Sequence, residues 1–232
     1  TIYEVPLMMQ KEMLDQTVLR KLGLPTGSEP SLDEWKEFLH KLKNPAHNVK
    51  IALVGKYVEL ADAYKSITEA FIHAGAANNA AVELIMIHSE EITENNYRER
   101  LQGFDGIVVA PGFGSRGIEG KVLTAGFART GDIPFLGICL GMQCAVIEFA
   151  RNVLGLEGAH STEINPKAKH PVIDLMEEQK SVTEKGGTMR LGSYKCELLH
   201  GSESWKCYGK DEISERHRHR YEFNNKYLAD FR

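Results

Sequence analysis

Cysteine is scarce in this chain: Cys139, Cys144, Cys196 and Cys207 are the whole set. Four scattered thiols make no disulfide framework and include no C-x-x-C pair for zinc, so reduced thiols and no metal site are expected. Long apolar runs are missing as well. None approaches the ~18 residues of a membrane span and no signal peptide opens the chain, so a soluble, cytoplasmic protein is expected. An excess of positive charge is also lacking, and a net charge of -4 gives no general attraction to nucleic acid. Gly55-Lys56 lacks the G-x-x-x-x-G-K-[ST] spacing of a phosphate loop, which excludes nucleotide-phosphate binding there. What is present, 42% hydrophobic and 26% charged residues over 232 positions, suits one large α/β domain with an appendage.

Residues 1–48 lack the strand-helix rhythm that follows and are expected to form a helical connector. Residues 10–22 carry Met13, Leu14, Val18, Leu19 and Leu22 at helical spacing, and Ser31-Leu32-Asp33-Glu34 predicts a capping box before a helix with Trp35, Phe38, Leu39 and Leu42 on one face. Both faces are expected to dock on the main domain. From residue 49 onward, apolar strand runs at 50–54, 82–87 and 106–110 alternate with helical patterns at 62–74, 95–101 and 120–129. That alternation predicts an α/β fold, an open, mostly parallel sheet with helices on both faces. After Gly155 the rhythm breaks into a polar loop. Residues 177–185, ending at Gly186-Gly187, read as a lid, while residues 189–199 and 213–223 read as strands of a smaller antiparallel addition.

The chemistry is expected at Gly137-Ile138-Cys139-Leu140-Gly141. Pro134 to Ile138 reads as a buried strand, and residues 143–153 read as a helix with Val146, Ile147 and Ala150 on one face. Small residues two before and two after a cysteine are the pattern of a nucleophile elbow, a strained turn that holds the side chain clear of the sheet. The start of the following helix is expected to lower the thiol pKa. A buried structural cysteine between packing glycines fits the five residues alone equally well. A second strand run, Ile107 to Ala110, ends in Pro111-Gly112-Phe113-Gly114-Ser115-Arg116-Gly117. An oxyanion hole takes one amide from the residue after the nucleophile and one from a neighbouring loop, and Leu140 and Gly112 can supply them.

With these segments in place the chain resembles the class I, triad-type glutamine amidotransferases, whose nucleophile segment is similar to Gly137 through Gln143. Lys56 to Leu60 with Asp62 to Ser66, Gly186 to Gly192 and Glu215 to Glu222 add further similar segments, in order, from one branch of that family. The resemblance implies a glutaminase in which Cys139 is the nucleophile and Gly112 and Leu140 form the oxyanion hole. It also implies that Gly112, Leu140, Gly141, Met142, Gln143, Glu163 and Arg220 bind L-glutamine, with Glu163 on the α-amino group and Arg220 on the α-carboxylate. No cofactor is implied for this domain. In the whole enzymes of that branch, residues 1–48 would follow a synthetase domain that uses ATP and Mg to aminate UTP, GTP is the allosteric activator, and the assembly is a homotetramer.

Arg216, Arg218 and Arg220 alternate along a predicted strand, so three guanidinium groups are expected on one face with His217 and His219 on the other. The family's imidazole and its orienting carboxylate lie in a His-Pro-Glu motif beyond that segment. No such motif occurs here, since His170 is followed by Pro171-Val172, and the role is not transferred to His217 or His219. Residues 49–232 are therefore expected to be an amidotransferase domain lacking its C-terminal segment, with little turnover alone. Two other functions stay open: a cysteine hydrolase of peptides or γ-glutamyl conjugates, supported by the elbow, and a non-catalytic interaction module, supported by the missing base.

Overall fold

The computed structural model describes residues 1–27, 30–60, 62–175 and 190–232. Two compact units are formed: Thr1–Ile51 with Glu59–Ile85 and Gly103–Asp105, and Ala52–Val58 with Met86–Gln102 and Gly106–Arg232.

In the first unit, α1 (Val5–Lys11) and α2 (Leu14–Lys21) replace the single helix expected over 10–22. The break is at Met13, whose backbone turns into the left-handed region at φ 54, and Pro6 near the start of α1 begins that helix earlier than the apolar spacing suggested. Helix α3 (Asp33–Lys43) is capped at Leu32, not Ser31; the Ser31 hydroxyl instead accepts from the Asp33 amide at 3.3 Å, so the expected capping box does not form. The apolar face of α3 packs as foreseen on α4 (Lys65–Ala77). Phe38 stacks on His73 at 4.9 Å, Tyr3 meets both rings edge-on, and the Trp35 indole donates to the Tyr3 carbonyl at 2.8 Å. The stripe of α2 does not follow. Val18 and Leu22 stay 46% and 66% exposed, and Leu14, Val18 and Leu19 line an open apolar groove with Pro6, Pro30 and Leu32.

Strands β1 (His47–Gly55), β2 (Ala80–His88), β3 (Gly106–Val109) and β4 (Phe135–Gly137) form a sheet in the order β2-β1-β3-β4. The carboxyl ends of β1 and β2 and the whole of β3 and β4 belong to the second unit, where β3 and β4 run parallel with Ile107 opposite Phe135 and Val109 opposite Gly137. All four residues of β3 are buried, which is what a near-continuous apolar run requires. Helices α5 (Tyr97–Leu101), α6 (Ile118–Thr130) and α7 (Leu140–Asn152) complete the alternation, and the mostly parallel sheet with helices is the fold expected. Between α6 and α7, Arg129 makes a bidentate pair with the buried Glu148 at 2.9 and 2.8 Å.

Beyond α7 the polar stretch is more ordered than its composition suggested. Strand β5 (Ala159–Ser161) lies parallel to β6 (His170–Leu175), and β6 pairs antiparallel with β9 (Tyr221–Phe223). Ala159, Val172 and Ile173 close a core with Ile118, Val122, Leu140, Cys144 and Ile147. The antiparallel addition is the ladder of β7 (Arg190–Glu197) and β8 (Glu212–His219), joined through α8 (Glu203–Tyr208), a helix that the sequence reading did not place. The lid expected at 177–185 and Gly186-Gly187 lie outside the described residues.

Candidate active site

Strand β4 delivers the chain to Cys139 and α7 carries it away. Between them the cysteine backbone sits at φ 55, ψ -107, a strained position for a residue with a side chain. Both flanking glycines are demanded by close approach. A Cβ on Gly137 would stand 2.5 Å from the Met142 nitrogen, and one on Gly141 would stand 2.1 Å from the Val109 carbonyl oxygen. The turn is further tied by the Ile138 amide on the Val109 carbonyl at 3.0 Å and the Gly141 amide on the Ile138 carbonyl at 2.9 Å. This is the geometry of an elbow, and it leaves the Cys139 side chain exposed while Cys144, one turn into α7, is fully buried.

The Leu140 and Gly112 amides, the two candidate oxyanion donors, lie close enough to the Cys139 sulfur to favour its ionised form. The expected depressed thiol pKa is not found. Protein crowded around the sulfur, though one face reaches solvent, raises its pKa by desolvation, and the Glu163 carboxylate raises it further. The two amides and Lys121 pull the other way without winning. Cys144 is pushed up to about 12 by burial and is chemically inert beside it.

Gly112, Cys139, Gln143, Glu163 and Arg220 line one cavity of about 130 Å³, together with Phe113, His219 and Tyr221. Met142 joins Cys139 and Gln143 in a larger adjoining cleft of about 810 Å³ that also includes Arg216, His217, Arg218 and His219. Leu140 is buried and contributes its amide. Gly141 lines neither space, its own amide being spent on Ile138. Gln143 is almost wholly buried, donates to the Tyr221 carbonyl at 3.2 Å, and leaves its Oε1 with no hydrogen-bond partner among the described residues.

The arginine face differs from its expected form. Arg216 and Arg218 are exposed on β8, but the strand ends at His219 and the chain bends before β9, so Arg220 is half-buried beside His219 at the cavity. A two-residue alternation holds only while the strand continues. Phe113, His219 and Tyr221 line the cavity without having been assigned to it, and no spacing in the sequence announces that. His217 Nδ1 lies 3.0 Å from His219 Nε2, a pair visible in sequence only as alternate residues of one strand.

The chain is similar to known proteins over most of its length. The family described as glutamine amidotransferase class-I matches residues 59–231. The chain is 63% identical to CTP synthase of Cytophaga hutchinsonii over 231 residues, covering 100% of this chain and 43% of that protein. It is 62% identical to CTP synthase of Flavobacterium psychrophilum, covering 98% of this chain and 42% of the relative. The chain thus spans less than half the length of these curated relatives. Among solved structures, the Trypanosoma brucei CTPS glutaminase domain with bound acivicin superposes with a TM-score of 0.73 at 39% identity, covering 79% of this chain and 71% of that one. A cysteine elbow facing two backbone amides, on a fold and a sequence shared over this extent, makes the chain a member of the class I glutamine amidotransferase family.

Proposed function

We propose that the chain is the glutaminase part of a CTP synthase, releasing ammonia from L-glutamine for the ATP-dependent amination of UTP to CTP in pyrimidine biosynthesis. The observation that carries this reading is the meeting of Cys139, Gly112, Gln143, Glu163 and Arg220 in one small cavity. A carboxylate and a guanidinium there match the two charges of a free amino acid, and the orphaned Gln143 Oε1 calls for a donor from a bound molecule.

In the proposed reaction Cys139 Sγ attacks the side-chain amide carbon, and the Gly112 and Leu140 amides hold the resulting oxyanion. Ammonia leaves with a proton, and water cleaves the thioester to glutamate. We assign the imidazole that moves these protons, and the carboxylate that orients it, to residues outside these 232, because the sequence contains no His-Pro-Glu. In this proposal ATP and Mg act in the synthetase part of the longer protein, and no step here runs through them. GTP activation, a homotetramer and a cytoplasmic setting complete the proposal. The free state of all four cysteines is consistent with that setting, and no described helix is long and apolar enough to cross a membrane.

A second assignment has one observation in its favour: His219 lines the cavity with Cys139. Glutamate release, measured for these 232 residues, for the full-length protein and for His219→Ala in each, tests both. The proposal expects turnover only at full length, abolished by Cys139→Ala. Full turnover in the short chain that His219→Ala removes would make His219 the base. Turnover of γ-glutamyl peptides in preference to glutamine would replace the substrate, and absence of any hydrolysis at full length would leave an interaction module.

A further inference from the structure

Of the two amides facing Cys139, that of Leu140 is fixed by opening α7, whereas Gly112 belongs to a loop with no helix or strand of its own. Two buried ammonium groups hold that loop. Lys121, in the first turn of α6, has 0% exposure and donates from Nζ to the Ala110 carbonyl at 2.7 Å. Lys56, 3% exposed and following β1, donates to the Phe113 carbonyl and to the Gly114 carbonyl, the latter at 3.0 Å. The Lys121 Nζ stands 3.9 Å from where a Cβ on Gly112 would lie, directly against the peptide that faces the sulfur.

Keeping an ammonium in the core is costly, and the rest of this face of α6, with Ile118, Val122 and Ala125 buried, shows that an apolar side chain would pack there. A charge retained against that cost has a task. We propose that Lys121 is a positioning residue of the oxyanion loop: it anchors the Ala110 carbonyl while Lys56 anchors those of Phe113 and Gly114, so the Gly112 amide is fixed toward Cys139 with positive charge behind it. The role deepens the glutaminase reading and rests on it.

The titratable groups that act on the Lys121 ammonium are the Cys139 and Cys144 thiols, which favour its charge, and Lys56, which opposes it. Burial dominates and brings it down to about 8. Lys121 in turn draws the Cys139 thiol toward ionisation, against Glu163.

Lys121→Met tests the assignment, because it removes the charge and the donor while filling the same space. The variant is expected to melt at or above the wild-type temperature, since an apolar replacement of a buried ion is commonly neutral or stabilising. In the full-length protein, kcat for glutamine hydrolysis should fall about 10- to 100-fold with KM changed less than about threefold, less than for loss of a whole oxyanion donor. The pH profile of Cys139 alkylation by iodoacetamide should move upward, slowing the reaction at about pH 7.5 by up to about tenfold. Unchanged kcat with an unchanged alkylation profile would overturn the proposal, as would a kcat loss accompanied by a fall in melting temperature and no movement of the profile. If wild-type protein hydrolyses no glutamine, the glutaminase reading fails, and the alkylation profile still decides whether Lys121 acts on Cys139.

Discussion

At the scale of the residue, four thiols share one chain and differ only in surroundings. Cys139, Cys196 and Cys207 are exposed and Cys144 is sealed in the core. A small neutral alkylating agent should therefore mark the first three and spare Cys144 until the protein unfolds. A glutamine-shaped electrophile should mark Cys139 first, because that thiol shares a cavity with the Glu163 carboxylate and the Arg220 guanidinium. Peptide mapping after brief labelling reads both patterns, and equal modification by the glutamine mimic would remove Cys139 from its role. Lys121 gives a second prediction. Its ammonium titrates near about 8 in the folded protein and near 10.5 unfolded, so in that window the unfolded chain binds more protons and stability rises with pH. The full rise is about 3 kcal/mol. Urea midpoints taken across that window should climb in wild type more than in Lys121→Met, which should start higher. The sequence made Cys139 and Gly112 legible through small residues around a strand end. It made Lys121 illegible, because a lysine in an amphipathic helix is ordinarily solvated.

Elements show where reading by period succeeds. The runs that became β1, β2 and β3 are mostly apolar, and such runs are hard to satisfy except inside a parallel sheet. Strands β5 and β6 were missed because runs of three and six residues after a polar stretch leave little period to detect. The division of α1 from α2 was missed because a non-glycine residue at φ 54 leaves no compositional trace. The packing of α6 on α7 leads to a third prediction. Glu148 is 2% exposed and takes two bonds from Arg129 and one from Asn152 at 3.1 Å, so Arg129→Met strands a carboxylate in the core. With Arg129 itself partly exposed, the loss should be about 2 kcal/mol, below the range for a fully buried pair. Thermal melts of Arg129→Met, Glu148→Gln and the double variant measure it, and the double variant should recover part of the loss.

At the scale of the whole molecule, the proposed supply of ammonia can be tested directly. If the second unit generates ammonia for chemistry elsewhere in a longer protein, Glu163→Ala and Arg220→Ala at full length should weaken glutamine-dependent amination while leaving amination from added ammonia intact. Each contact should be worth roughly 1.5–3 kcal/mol in kcat/KM for glutamine. Parallel loss with both nitrogen sources would mean a folding defect. The site also depends on a clearance. Where α7 crosses β3, the gap at Gly141 has no room for one methyl group, since the Val109 carbonyl already occupies it. Gly141→Ala would act as a wedge, levering the first turn of α7 away and swinging the Leu140 amide off the sulfur. Glutamine hydrolysis should drop about a hundredfold, as if an oxyanion donor had been deleted, with every reacting group still present. The tolerance of this machine is thus set at a point with no chemistry in it, by the width of a single carbon atom.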